Sequence, residues 1–287
     1  MDILSTSIGA VDGGTFAVLY KWRQNDSALP ARGGTVSVTL NERYVADRPI
    51  LAELSALHYL LCVKQVQGAN RLGNGIALEV SAGAIDKAVA KGALKTTDKG
   101  KTDKGHIAPF CQFLATRFFE AEVSTVSKNK WKAEAAKKSE DFAISIDLPP
   151  VAAIPRKGCD PDSVVVSRHG MNRFIERYSV KAQIGAGATL GDIQNKVWTA
   201  AWRTLERILP QSVELRNIEK KEAIRILHEY GPGVKVLHHV STKNVFILKP
   251  ERHGYALVTT LVGDEYGRLI QQLPTYDCGR IRPSRGS

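Results

Sequence analysis

Residues 49–61, with the sequence PILAELSALHYLL, decide how the first half of the chain is interpreted. Pro49 suits the first turn of a helix, because the N–H that proline lacks would have no partner there. Four leucines spaced three and four residues apart predict one buried helix face: Leu51, Leu54, Leu57 and Leu61. Glu53 lies within this predicted helix.

Strand-like segments lie on both sides of the helix. Strictly alternating or β-branched stretches predict strands before Gly13 and at 15–22, 35–40, 76–80 and 120–126. Further helices are predicted at 82–93, 108–118 and 131–143, and a polar loop at 95–105. The predicted order is three strands, a helix, a strand, two helices, a strand and a last helix.

This order and several local motifs resemble the RNase H family over residues 1–147. The motifs are Asp12-Gly13-Gly14, Ala52-Glu53-Leu54-Ser55-Ala56-Leu57, residues 78–85, the lysine-rich stretch from residue 95, and Glu140-Asp141-Phe142-Ala143. The resemblance implies an α/β (α+β) fold, with a mixed sheet and flanking helices.

The family's chemistry needs a cluster of carboxylates that holds two magnesium ions at the scissile phosphate. The resemblance carries Glu53 over as the helix carboxylate and Asp141 as the terminal one. Asp12 matches the first-strand carboxylate in one register, whereas a first strand at residues 3–8 puts Thr6 there. The next ligand position falls on Ser81, a residue without charge.

Glu79 is the candidate to replace the missing ligand, since alternate strand residues share a face. Each candidate also has a structural interpretation: Glu53 as a solvated helix residue, Asp12 as a turn residue and Asp141 as a neighbour of two lysines. We therefore interpret residues 1–147 as a binding descendant of the fold, with no resident metal or other cofactor. An active nuclease using Asp12, Glu53, Glu79 and Asp141 with magnesium is the alternative.

Residues 148–162 contain four prolines and predict an extended linker to a second domain at 163–287. There, His169, Arg173 and Arg177 are spaced four apart and predict one basic helix face. Longer helices are predicted at 190–209 and 218–230. Antiparallel strands follow at 234–240, 244–249 and 255–262.

Residues 163–270 show a further resemblance to small RelE/BrnT-type toxin folds. Their metal-free RNA cleavage would implicate His169, Arg173, Arg177 and Arg252. His238 and His239 are adjacent, so a strand would point them to opposite faces.

The net charge is +11, with an excess of +3 in residues 1–148 and +8 in residues 149–287. This excess favours polyanionic partners. Four cysteines without a CxxC pair, together with the lack of a signal-like or membrane-spanning run, predict a cytoplasmic protein, in a bacterial or phage-infected cell.

The sequence thus predicts a nucleic-acid-binding protein that is not an enzyme, with single-stranded RNA favoured over DNA. The predicted contacts combine lysines, an aromatic residue and the basic helix face: Lys95, Lys99, Lys101, Lys104, Lys128, Lys130, Trp131, Lys132, His169, Arg173 and Arg177. A ribonuclease and a protein-interaction adaptor are the alternatives, and a protein partner or homo-oligomer is compatible with either.

Overall fold

A computed structural model describes residues 1–25, 31–69, 71–90, 105–126, 138–179, 190–216, 218–252 and 254–261. Its strands form two sheets, one from each half of the chain. No helix in these ranges is long and apolar enough to cross a membrane.

The first sheet has the strand order β5-β4-β1-β2-β3, and β6 and β7 both pair with β3. Its strands are β1 (Asp2–Asp12), β2 (Thr15–Arg23), β3 (Arg32–Leu40), β4 (Ile76–Val80), β5 (Glu122–Thr125), β6 (Lys138–Ser139) and β7 (Phe142–Ile146). The flanking helices are α1 (Arg48–His58), extended by a π-helical turn at Tyr59–Val63, α2 (Gly83–Ala90) and a 3-10 helix (Gly105–Cys111).

The hairpin between β1 and β2 follows from its turn sequence. Gly13 and Gly14 have φ angles of 51° and 87°, which a two-residue turn between twisted strands requires. β2 and β3 continue the antiparallel meander, whereas β4 runs parallel to β1 and β5 parallel to β4. A mixed sheet with flanking helices is the fold that the sequence predicts for this part of the chain.

The end of this unit differs from the prediction of a last helix at 131–143. Residues 142–146 form β7, parallel to β3, and residues 131–137 lie outside the described ranges. Phe142, Ile144 and Ile146 alternate with more exposed residues, so the period is two and not 3.6. Gly34 permits the pairing, because a Cβ there would overlap the backbone of Glu140.

The second sheet has the order β10-β11-β12-β13-β9-β8. Its elements are β8 (Ala153–Pro155), β9 (Ser163–Val166), α3 (Arg168–Phe174) with a π-helical turn at Ile175–Ser179, α4 (Leu190–Ile208), β10 (Val213–Glu214), α5 (Lys220–Tyr230), β11 (Lys235–His239), β12 (Asn244–Glu251) and β13 (Gly254–Leu261). Helices followed by the antiparallel strands β11, β12 and β13 match the prediction, and β9 adds a parallel strand beside β13.

The segment predicted as an extended linker is partly built into this second sheet. Residues 153–155 form β8, an edge strand antiparallel to β9, and Ile154 is buried. Pro155 has no N–H to donate to a neighbouring strand. An edge strand tolerates this, because no further strand pairs with its outer side.

The two sheets share one buried core. Phe119 and Trp198 stack with their ring centroids 4.7 Å apart, and the Trp198 indole N–H donates to the Thr116 carbonyl. Gln112 accepts a hydrogen bond from the Ala152 N–H at 2.6 Å and donates to the Val166 carbonyl. The contacts between the two halves of the chain are therefore extensive, and the division into two domains joined by 148–162 stays a prediction.

The packing of α3 on β13 gives a stability prediction. A Cβ at Gly170 would overlap the Leu257 backbone carbonyl, so Gly170→Ala should lower the free energy of unfolding by about 1–3 kcal/mol in urea denaturation. Gly83→Ala is the matched control, because its Cβ would approach only the Thr125 hydroxyl, at 3.8 Å. The control should be neutral or stabilising by up to about 1 kcal/mol. Equal midpoints for the two variants would contradict this packing.

Candidate degenerate carboxylate centre

Three residues far apart in sequence meet at the middle of the first sheet. The Thr6 hydroxyl donates to Glu53 Oε1 at 2.8 Å. Ser81 donates twice to the same carboxylate, from its N–H to Oε1 at 2.7 Å and from its hydroxyl to Oε2 at 2.6 Å. Glu53 and Thr6 are fully buried, and Ser81 is half-buried.

The strand and helix pattern brings these residues together. Leu4 pairs with Leu78 in the parallel register of β1 and β4, and Thr6 follows Leu4 on the same face of β1. Helix α1 covers this face and directs Glu53 at Thr6. Ser81 is the first residue after β4, where the chain leaves the strand and turns its N–H and hydroxyl toward Glu53.

Thr6, Glu53 and Ser81 occupy the three positions that the RNase H resemblance assigns to carboxylates in the register with the first strand at residues 3–8. Only Glu53 is acidic, and both of its oxygens accept hydrogen bonds from neutral donors. Hard divalent ions such as magnesium need several oxygen ligands, chiefly carboxylates. These residues therefore do not fit a magnesium pair.

Asp12 lies away from this centre. It is exposed in the hairpin turn, where it pairs with Thr15, six strand residues or about 20 Å from Thr6. The structure thus adopts the register in which Thr6, and not Asp12, faces Glu53.

The sequence predicts that Glu79 shares a strand face with Ser81, and the structure contradicts this prediction. It accepts a hydrogen bond from the Ser5 hydroxyl at 2.6 Å, and Ser5 alternates with Thr6 on the opposite face of β1. The alternation rule fails here because β4 ends at Val80, so Ser81 no longer follows the strand geometry.

Asp141 is also separated from Glu53. It is exposed just before β7, and its Oδ1 accepts a hydrogen bond from the Thr35 N–H of β3 at 2.9 Å. Three strand spacings, about 14 Å, separate β7 from β1. Within the described residues, no group of three or more His, Cys, Asp or Glu side chains could hold a metal ion.

Eight of the predicted nucleic-acid contacts belong to two lysine-rich segments. The lysine-rich loop and the cluster around Trp131 lie outside the described residues: Lys95, Lys99, Lys101, Lys104, Lys128, Lys130, Trp131 and Lys132.

The predicted basic face of the second unit is only partly regular. His169 and Arg173 are exposed on α3, and Arg173 forms an ion pair with Glu176 at 3.0 Å. Arg177 is half-buried in the π-helical turn, so the four-residue spacing is interrupted before it. Its role in binding stays a prediction.

Two of the histidines named with the RelE-type resemblance, His238 and His239, are buried in β11. The pKa values of His238 and His239 are both lowered, chiefly by burial, and the positive charge of Arg207 adds to the effect at His239. His239 forms a hydrogen bond with the Thr242 hydroxyl at 2.8 Å, while Arg252 is exposed at the turn before β13.

Sequence reasoning reached Thr6 only as a register alternative. A polar residue in line with the buried Leu4 on a central strand was the available signal. Its partner could not be identified from periodicity, because the contact joins residues 47 positions apart.

Comparisons with known proteins give few matches. No family model matches the sequence, and no curated protein does. Among solved structures, RNase H1 from the halophilic archaeon Halobacterium salinarum NRC-1 is 17% identical, with 45% of this chain and 87% of that chain covered and a TM-score of 0.30. LC11-RNase H1 in complex with an RNA/DNA hybrid is 15% identical, with 45% and 88% covered and a TM-score of 0.30. The resemblance to the RNase H family therefore stays one of sequence motifs and strand order.

The buried carboxylate predicts a large effect of a small substitution. Glu53→Gln keeps the side-chain size but removes the charge that three donors stabilise, so unfolding free energy should fall by about 1.5–3 kcal/mol. Glu79→Gln is the control, with one hydrogen bond at a half-buried site, and should cost about 1 kcal/mol or less. Urea denaturation measures both, and an equal loss would contradict a structural role specific to Glu53.

Restoring carboxylates tests whether positions 6 and 81 are ligand positions. Thr6→Asp with Ser81→Asp places three mutually repelling carboxylates together, which should destabilise the metal-free protein. Millimolar Mn²⁺ should then raise the melting temperature of this variant by several degrees, because a ligand that binds only the folded state stabilises it. The original protein and the Thr6→Asn/Ser81→Asn variant should not respond. A variant indifferent to metal would contradict the assignment.

Proposed function

We propose that the protein binds single-stranded nucleic acid, RNA in preference to DNA, and does not hydrolyse it at the RNase H-like centre. The observation that carries this proposal is the Glu53 carboxylate, whose two oxygens are occupied by Thr6 and Ser81 where the reaction requires metal-binding carboxylates. RNA comes before DNA because both resemblances in the sequence are to ribonuclease families.

The charge of the chain supports the binding part of the proposal. A net charge of +11 attracts phosphate backbones, and the counterions that those phosphates release add to the affinity. Arg203 and Arg207 are exposed one turn apart on α4, and no acidic side chain in the described part of the chain pairs with them. Their guanidinium groups are suited to phosphate oxygens.

A salt titration tests the proposal. Binding of a uridine-rich 20-nucleotide RNA should weaken with salt, and four phosphate contacts would give a slope of about −3 in a plot of log affinity against log salt. DNA of the same sequence should bind more weakly. A slope near zero would contradict nucleic-acid binding and favour the protein-interaction adaptor.

Two double variants, which remove equal charge, locate the contacts. Arg203→Ala/Arg207→Ala should make the slope shallower by about 0.7–1.4, that is, by one or two contacts. Arg173→Ala/Arg177→Ala should change it less, because the Arg173 guanidinium already pairs with Glu176. A larger effect of the second pair would assign binding to the face predicted from the sequence.

An activity assay tests the other part of the proposal. Incubation with an RNA–DNA hybrid and Mg²⁺ or Mn²⁺ should give no cleavage, since the centre lacks the charge to hold the metal ions. Metal-dependent cleavage that Glu53→Gln abolishes would overturn the proposal.

A further inference from the structure

A cavity of about 220 Å³ opens beside the degenerate centre, on the same face of the first sheet. It is lined by Tyr20, Trp22, Arg32, Lys64, Gln65, Val66, Glu140 and Phe142. Tyr20 pairs directly with Thr6 across β1 and β2, so the cavity begins one strand away from Glu53.

Aromatic side chains form the inner wall of the cavity. Tyr20 and Phe142 stack with centroids 6.1 Å apart and an interplanar angle of 25°. Tyr20 and Trp22 are each 4% exposed, so they present edges, whereas Phe142 is half-buried and presents more of its ring. The Tyr20 hydroxyl donates to the Glu140 carbonyl at 3.0 Å, which fixes the ring.

Basic side chains also line the cavity. The Lys64 ammonium lies 4.7 Å from the centre of the Phe142 ring and 5.9 Å from that of Tyr59. Arg32 also lines the cavity and is exposed, at the start of β3. Glu140 contributes one carboxylate, so the lining carries a net charge of +1.

The backbone that presents Lys64 is irregular. Helix α1 widens into the π-helical turn at Tyr59–Val63, and Gln65 then has a φ of 52°. Hydrogen bonds hold this geometry, from the Lys64 N–H to the Tyr59 carbonyl at 2.8 Å and from the Val66 N–H to the Leu60 carbonyl at 3.0 Å. Left-handed non-glycine residues and π-helical turns are both concentrated at functional sites.

We infer that this cavity binds one nucleotide of the single strand, with the base against Phe142 and the phosphate between Lys64 and Arg32. This inference rests on the proposed function and names the site within it. The cavity is smaller than the 300–1,000 Å³ or so typical of drug-sized ligands, which favours a single nucleotide over a larger cofactor. Every base has a face that can stack on an aromatic ring, and a lysine can follow the backbone phosphate.

Lys64 changes partner in this scheme. In the free protein its ammonium covers the Phe142 ring. When a nucleotide enters, the ammonium pairs with the phosphate and the base takes its place on the ring. Polar groups of Gln65 and Glu140 line the remaining wall, where they can contact the base edge.

The first experiment uses a single-stranded RNA with one 2-aminopurine, a base whose fluorescence falls when it stacks. Binding should quench this fluorescence. Lys64→Ala should weaken binding by about 5-fold or more, whereas Lys249→Ala, which removes an exposed lysine on β12, should change it less than 2-fold. Phe142→Leu should remove the quenching, and circular dichroism should show an unchanged fold.

The second experiment uses adenosine monophosphate alone, observed by saturation-transfer NMR. Signals from both base and ribose are expected with the original protein and should be lost in Lys64→Ala and in Phe142→Leu. Inorganic phosphate at the same concentration should compete only weakly. Full competition by phosphate would contradict a nucleotide site and indicate an anion site.

The two experiments separate this inference from the proposed function. RNA binding that the Lys64 and Phe142 variants leave unchanged would overturn the cavity assignment and keep nucleic-acid binding. Adenosine monophosphate binding without RNA binding would keep the cavity and overturn the proposed function. Failure of both ligands to bind would overturn both.

Discussion

The packing of α1 on the first sheet depends on the hydrogen bonds that one buried carboxylate, that of Glu53, accepts. Taking Glu53 out of water is unfavourable unless its oxygens find donors, and three donors reach it from β1 and from the end of β4. These hydrogen bonds join the central strand, the covering helix and the neighbouring parallel strand at one point. The position of α1 over the sheet is therefore coupled to Thr6 and Ser81. In a cluster of carboxylates, metal ions are needed to offset the mutual repulsion. Two hydroxyl groups and one N–H around a single carboxylate need no metal ion, because each donates a hydrogen bond to it.

Much of the first sheet could be predicted, because its signals are local. The Gly13-Gly14 turn, the alternation of residues 35–40 and the leucine stripe of α1 each act within a few residues. The errors concern long-range pairing. The predicted last helix ends at Ala143, but Phe142 and Ala143 belong to β7, because the partner strand β3 lies about a hundred residues earlier and Gly34 leaves room for the pairing. Alternation also misplaced Glu79, since no local signal marks Val80 as the last residue of β4.

The candidate site could also be predicted only in part, because local motifs mark some of its residues and long-range pairing selects the others. Glu53 and Ser81 are recognisable from sequence motifs, but the choice between Thr6 and Asp12 depends on where β1 pairs with β4. The cavity beside them had no sequence signal, because it is assembled from β2, β3, the π-helical turn and the segment before β7. Its aromatic and basic residues lie up to 122 positions apart, and only the tertiary fold brings them together.

The side chain of Gln112 links the two halves of the chain. Its amide oxygen accepts from the Ala152 N–H, just before β8, and its amide N–H donates to the carbonyl of Val166, the last residue of β9 in the other sheet. A side chain of the first half thus completes the backbone bonding of the second, in the manner of an added strand residue. Separating the halves would leave those two backbone groups, and the paired rings of Phe119 and Trp198, facing water. Heat or denaturant should accordingly melt both halves in one cooperative step.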